Sequence, residues 1–363
     1  MSSFSADLTV REVQARAVLA PLKTPLVTPA GAFPKAPLVL IDLHTEEGIT
    51  GRAYLMANSP VALKAMETLV LDLGATLVGQ KVVPVERHEE MRSRFTLIGG
   101  SHGLANTAIS GLDVALWDAL AIAANLPLAT LIGGRPQPLK AYNSLGMIRA
   151  PAAAEEAEKS LAAGFAAIKF KIGWPTFAED LAAVRAFRAA APDVELMVDY
   201  NQSLTLAEAL RRGHALESEG LAWIEEPIRC DDFTGFAQIA AELKTPLQIG
   251  ENFSGVFDME RALRANASDY VMCDVQMIGG VTGWLRAAAL AQVTGKNFSS
   301  HCFVEASSHL LTVTPTRHWL EFLDVAGEIL AEPPRVIKGT VTAPDCPGVG
   351  LVWDEAAVAK ARV

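Results

Sequence analysis

The sequence predicts an α/β protein, a parallel (β/α) barrel preceded by a smaller α+β domain. Three observations carry this reading. The chain has 363 residues, more than the ~250–300 at which single cores stop growing. Up to about Gly134 strand-like runs come first and helical patterns follow, the order of an α+β unit. After Pro136 eight short apolar runs alternate with alanine-rich helical stretches. Eight such units with right-handed crossovers close into a barrel.

The elements follow in order. Residues 38–44 and 49–56, separated by Glu46-Glu47-Gly48, read as a hairpin. Helical patterns cover 59–77, 85–95 and 104–132; the first starts with Ser59 as N-cap and Pro60 behind it. The barrel strands are placed at 139–144, 166–172, 194–200, 221–226, 247–251, 270–276, 298–301 and 319–323. Three regions result: a capping domain at 1–134, the barrel at 135–325, and a Pro/Gly-rich tail at 326–363 that returns to the first domain.

Composition narrows the function. The chain is 50% hydrophobic and 20% charged, as in ordinary globular proteins, with a formal charge of −10. An acidic balance argues against nucleic-acid or anionic-membrane partners. The four cysteines (Cys230, Cys273, Cys302, Cys346) show no Cys-x-x-Cys spacing, and residues 1–7 have no basic-then-apolar leader. A cytoplasmic protein without a disulfide framework is expected.

Catalysis in such barrels sits at the C-terminal strand ends. Asp199, Glu225 and Glu251 each end an apolar run, at spacings of 26 and 26. Three carboxylates converging on one point repel unless a cation joins them, and a hard divalent ion, Mg²⁺, fits oxygen ligands best. Lys169 and Lys171 stand two apart and share a face; mutual repulsion and burial are expected to lower their pKa towards that of a general base. Asp274 and His301 end the sixth and seventh strands, a carboxylate to orient an imidazole that takes a proton. Glu321 ends the eighth, and among anions it is expected to be protonated and to donate to developing negative charge.

Other polar motifs read as structural. His88-Glu89-Glu90-Met91 lacks the second histidine of a zinc-protease helix, and Gly279-Gly280-Val281-Thr282-Gly283 lacks the lysine of a phosphate loop and reads as a tight turn. His44, His102, His214, His309 and His318 have no strand-end partner and are taken as structural or surface residues.

Taken together, Lys169-Phe170-Lys171, Val198-Asp199-Tyr200-Asn201-Gln202, Trp223-Ile224-Glu225-Glu226-Pro227, Gly250-Glu251-Asn252, Gly279–Trp284, Ser299-Ser300-His301 and His318-Trp319-Leu320-Glu321 resemble the mandelate racemase subgroup of the enolase superfamily over nearly the whole chain. The resemblance implies an enolase-like modified TIM barrel, (β/α)₇β, under an α+β cap. It implies Mg²⁺ on Asp199, Glu225 and Glu251, with Lys171 and the His301–Asp274 dyad as opposed bases. Lys169 and Glu321 would address the substrate carboxylate, with Ser144 and Asn201 as supporting contacts. It also implies a homo-oligomer, an octamer, and a small carboxylate substrate. The lid implied at residues 22–33 is mostly apolar, which favours an aryl or alkyl 2-hydroxyacid and racemisation over sugar-acid dehydration, the alternative on the same scaffold. Asn58 and the segment from Leu145 depart from the subgroup pattern, so mandelate itself is not implied.

Overall fold

The structure, a computed structural model, describes residues 7–29 and 31–363. The expectation about a leader therefore falls almost wholly outside the described residues, as does Ala30 of the lid. The cap opens with a three-stranded antiparallel sheet in the order β1 (Val10–Thr28), β2 (Gly31–Thr45), β3 (Thr50–Met56). The β2–β3 hairpin turns at Glu46–Gly48, with Gly48 at φ 81°. Sequence patterning misses β1, because Pro21 and Pro25 interrupt its alternation; the strand tolerates them through a register shift between Pro21 and Leu26.

Helices α1 (Pro60–Ala75), α2 (Pro84–Ser93), α3 (Leu104–Ala123) and α4 (Leu128–Leu131) cover the sheet. Ser59 caps α1 by accepting from Val61 N. The single helix expected over 104–132 is two: Asn125 takes φ 55° and Pro127 removes a donor, so the chain turns before α4. Contact between α3 and β3 is close enough that a Cβ on Gly51 would lie 2.0 Å from the Ala115 carbonyl oxygen.

The barrel follows as β4 (Leu139–Met147), β5 (Ala167–Lys171), β6 (Glu195–Asp199), β7 (Ile224–Glu225), β8 (Leu247–Ile249), β9 (Tyr270–Asp274), β10 (Asn297–His301) and β11 (Leu320–Phe322). All pair in parallel in the order β10-β9-β8-β7-β6-β5-β4-β11. The ring closes where Phe298 bridges Arg317 and Ser300 N donates to Trp319 O at 3.0 Å. In the tail, β12 (Thr340–Val341) pairs antiparallel with the start of β4, while Trp353 Nε1 donates to Asp42 at 2.9 Å and Arg16 pairs with Glu355 at 2.6 Å. No helix among the described residues is long and apolar enough to cross a membrane. All four cysteines are free thiols.

Two buried groups join cap, barrel and tail. Asp113 on α3 accepts from Thr282 N at 2.9 Å and Thr282 Oγ1 at 2.6 Å, and a Cβ on Gly280 would strike its carboxylate; this docks the glycine-rich turn onto the cap. His309 accepts at Nδ1 from Ala129 N (3.1 Å) and, in the tautomer this sets, donates from Nε2 to Val349 O (3.2 Å). Burial pushes its pKa down to about 4 from 6.5. The folded state thus holds the neutral ring, and stability present above pH 6.5 is lost as pH falls through about 4. The loss is on the order of 3 kcal/mol for this group. Denaturant unfolding at pH 7 and pH 4 should show that loss, and His309→Gln should shallow the slope; an unchanged slope would exclude His309 as its source.

Candidate active site

The parallel register of the barrel brings the strand-end side chains to one level. Lys171 pairs with Asp199, Asp199 with Glu225, and His301 with Asp274. Asp199, Glu225 and Glu251 follow one another around the ring on or just after β6, β7 and β8. Each offers an oxygen within 4.8 Å of the others', so the donor set fits one hard cation. Asn201, at φ 41°, folds back so that its N and Nδ2 donate to Asp199 at 2.7 and 3.0 Å. Trp223 Nε1 and Gln248 Nε2 donate to Glu225 at 3.0 and 3.2 Å.

Lys171 and His301 are three strands apart one way round the ring and five the other, so they face each other across its mouth. His301 Nδ1 lies 2.6 Å from Asp274 Oδ2, and Asp274 Oδ1 accepts from Gln276 N at 2.7 Å. Gln276 also accepts from Met56 N at 2.9 Å, which ties the dyad to the end of β3.

The ionisation expectations need correcting. The lysines do not stand as an unpaired couple: Lys169 pairs with Glu225 and with Glu321 (2.7 Å), and Lys171 with Asp199 (2.6 Å). Burial works to lower both pKa values, but Glu225 and Glu321 for Lys169, and Asp199 for Lys171, raise them overall. The repulsion between the two is the smaller effect. Glu321 is likewise not held protonated. Burial pushes it up, yet Lys169 and His301 outweigh that and hold it well below the usual range; Oε2 accepts from Cys302 N at 2.8 Å. Asp199 and Glu225, the partners of Lys171 and Lys169, belong to the carboxylate group that suits a cation, whereas Glu321 pairs with Lys169 outside it.

Above these groups lies a cavity of about 370 Å³. Lys171, Asn201, Glu251, Asp274 and His301 reach its wall, with Leu22, Leu26, Phe33, Pro37, Met56, Leu323 and Val325 as its apolar lining. Lys169 and Glu321 are fully buried beneath it. Ser144 pairs in register with Lys169, but its buried Oγ has no hydrogen-bond partner and it faces a neighbouring cleft beside Leu22 and Lys23. The lid is the far end of the β1–β2 ribbon rather than a loop. Gly146 lies against it, since a Cβ there would come 2.7 Å from Val27 O, which accounts for the glycine in the segment after Ser144.

Several residues at the site carry no sequence signal of their own. Glu226, at φ 33° and fully buried, accepts from Gly250 N (3.3 Å) and Asn252 Nδ2 (2.7 Å) and so fixes the turn that presents Glu251; its position beside Glu225 was visible, its inward direction was not. Lys35 lies just beyond the expected lid and lines the cavity, whereas Lys23 turns away to Asp324 at 3.4 Å. Asn58, which the sequence does mark as a departure from the subgroup pattern, takes φ 55° and lines the cavity too.

A parallel barrel with three clustered carboxylates at consecutive strand ends, flanked by a lysine and a histidine that face each other, fits a class: enzymes that act on carbon acids with the help of a bound cation. The chain belongs to the enolase superfamily, in its mandelate racemase subgroup. A model of the mandelate racemase/muconate lactonizing enzyme N-terminal domain matches residues 10–133 and one of the enolase C-terminal domain-like region matches residues 152–357. An enolase from Bradyrhizobium, solved in complex with magnesium and mandelic acid, is 44% identical over 100% of both chains, with a TM-score of 0.94. The 3,6-anhydro-alpha-L-galactonate cycloisomerase of Streptomyces coelicolor is 34% identical over 89% of this chain and 91% of its own. The L-talarate/galactarate dehydratase of Salmonella typhimurium LT2 is 27% identical in its solved structure, covering 98% of this chain and 92% of that one, with a TM-score of 0.91.

Proposed function

We propose that the protein is a Mg²⁺-dependent racemase of a 2-hydroxyacid with an apolar side group, mandelate-like in kind. The observation that carries the reading is the pair of facing bases, Lys171 and His301, on a cavity whose lid side, Leu22, Leu26 and Phe33, is apolar. Asp199, Glu225 and Glu251 would hold the Mg²⁺, which when bound supplies Lewis-acid stabilisation of charge on the substrate carboxylate. The α-proton of a carboxylate is so weakly acidic that this charge, developing as an enediolate, is the main barrier.

Lys169 adds a buried cation on the same side, and Glu321 holds it there. The two lie 2.7 Å apart as an ion pair. Lys171 removes or returns a proton on one face of the carbon and His301 on the other, with Asp274 fixing the imidazole. Asn201 contributes mainly by orienting Asp199; its Oδ1 has no hydrogen-bond partner and is left for the substrate hydroxyl. Ser144 supports the floor around Lys169. The reading takes 1–134 as cap, 135–325 as catalytic barrel and 326–363 as the returning tail, assembled into a homo-oligomer.

A second reading, sugar-acid dehydration or cycloisomerisation, draws on Lys35, Asn58, Asn252 and Gln276 in the cavity wall and on the activities named for the Streptomyces and Salmonella relatives. Incubation with Mg²⁺ and a panel of acids in D₂O separates the two. Aryl or branched-alkyl 2-hydroxyacids should gain deuterium at Cα and lose optical rotation together. Formation of a 2-keto-3-deoxy product from an aldonic or aldaric acid would replace the racemase reading with dehydration.

A further inference from the structure

The end of strand β3 in the cap reaches both sides of the His301–Asp274 dyad. Met56 N donates to Gln276 Oε1 at 2.9 Å, and Gln276 N donates to Asp274 at 2.7 Å. Two residues earlier, the Tyr54 hydroxyl donates to Glu305 Oε2 at 2.7 Å, and the Tyr54 ring lies against Phe303 with centroids 5.0 Å apart. Phe303 and Glu305 belong to the turn and the helix, Val304–Leu310, that follow His301. Tyr54, Phe303 and Glu305 are all buried.

The turn itself is strained. Cys302 and Phe303 adopt left-handed backbone, at φ 46° and 45°, a conformation that non-glycine residues hold only where the surroundings impose it. Three contacts impose it here. Cys302 N donates to Glu321 at 2.8 Å, Ser307 Oγ donates to Cys302 O at 3.0 Å, and Tyr54 holds Phe303 and Glu305. Glu305 is an unfavourable group to bury, since burial pushes its carboxyl up to about 7 while the Tyr54 hydroxyl works the other way. It also lines a separate cavity of about 480 Å³ between that helix and the tail. Apolar packing would suffice to hold cap and barrel together; a hydrogen bond, with its short range and preferred angle, fixes where they meet.

We infer that Tyr54 and Glu305 are positioning residues for the His301 base: their hydrogen bond sets the turn after His301, and with it the direction of the imidazole. Lys171 is held separately, by Asp199 at 2.6 Å and by the pairing of β5 with β6. Loss of the Tyr54–Glu305 bond therefore acts on one face of the substrate carbon. That face-specific consequence rests on the racemase reading with its two bases; the orientation of the ring does not.

The test compares Tyr54→Phe, Glu305→Ala and Glu305→Gln with the wild type, all loaded with Mg²⁺. Phenylalanine keeps the ring against Phe303 and removes only the hydroxyl, while glutamine keeps an oxygen that accepts from it. Exchange of the α-proton in D₂O is followed separately on each enantiomer of the 2-hydroxyacid that the panel identifies. In Tyr54→Phe and Glu305→Ala, exchange of the enantiomer served by His301 should fall about ten- to a hundredfold, the scale of a ~1 Å misplacement, and that served by Lys171 should stay within about twofold. Glu305→Gln should restore most of the loss. A readout independent of turnover is the far-downfield NMR resonance of the proton between His301 Nδ1 and Asp274, 2.6 Å apart, assigned by its loss in His301→Asn. It should shift or broaden in Tyr54→Phe and Glu305→Ala and keep its position in Glu305→Gln. Undiminished exchange on the His301 face, equal losses on both faces, or an unmoved resonance overturns the inference. A resonance that moves as expected in a protein that exchanges no 2-hydroxyacid refutes the racemase reading and leaves the positioning role standing.

Discussion

His301→Asn should stop racemisation in both directions while leaving exchange of one enantiomer intact. Each direction needs one group as base and the other as acid, so loss of either ends interconversion, by on the order of 10²–10⁴-fold. Lys171 faces the site from β5, three strands away around the ring, and can still remove and return a proton on its own face. Deuterium from D₂O should therefore enter Cα of that enantiomer with retained configuration; by analogy with the subgroup this is the S form. Lys171→Ala should show the mirror pattern, exchanging only the R form. Asparagine keeps a polar group of similar reach beside Asp274 and Glu251, so a folding defect is not the expected cause of any loss. Circular dichroism and NMR exchange spectra on the same samples check both points. A histidine variant that still racemises, or that exchanges both enantiomers equally, would falsify the two-base arrangement.

Glu225→Gln should abolish turnover, by at least about 10³-fold, and weaken Mg²⁺ binding by more than the roughly 10–100-fold typical of a lost outer-shell partner. An amide removes one of three charges facing the cation and also one of the two carboxylates that neutralise Lys169. The protein should nevertheless fold. Glu321 remains as counter-ion at 2.7 Å, and burial works against the Glu225 charge, so a neutral amide there does not oppose folding. Thermal melts with and without Mg²⁺ should show a smaller metal-induced stabilisation than in the wild type. Turnover that persists in the variant and survives EDTA would remove the cation from the mechanism.

Both predictions use residues that the linear chain already marks. Asp199, Glu225, Glu251, Asp274, His301 and Glu321 are legible because a buried parallel strand is apolar almost throughout, so a charged residue at its end stands out. The near-equal spacing of units then puts these ends in phase. All eight barrel strands follow from the same alternation of apolar run and helix. The break at Asn125 and Pro127 was present in the sequence, but helical periodicity on both sides masked it.

What the sequence by itself determined is therefore the barrel, its cap and which charged residues end its strands. Those depend on period and on residue type, which are local properties. Only the tertiary structure decided how those residues act on one another. Lys169 and Lys171 suggest repulsion when read as neighbours along one strand, yet in space each meets carboxylates from other strands, and opposite charges at hydrogen-bond distance outweigh a like charge. Glu321 is ionised for the same reason. Lys35 joins the cavity and Lys23 leaves it because a two-stranded ribbon, not a loop, carries them, and the turn after His301 is left-handed at Cys302 and Phe303, which no residue type announces. Charge state and direction depend on distances between segments far apart in the chain, and those distances exist only once it has folded.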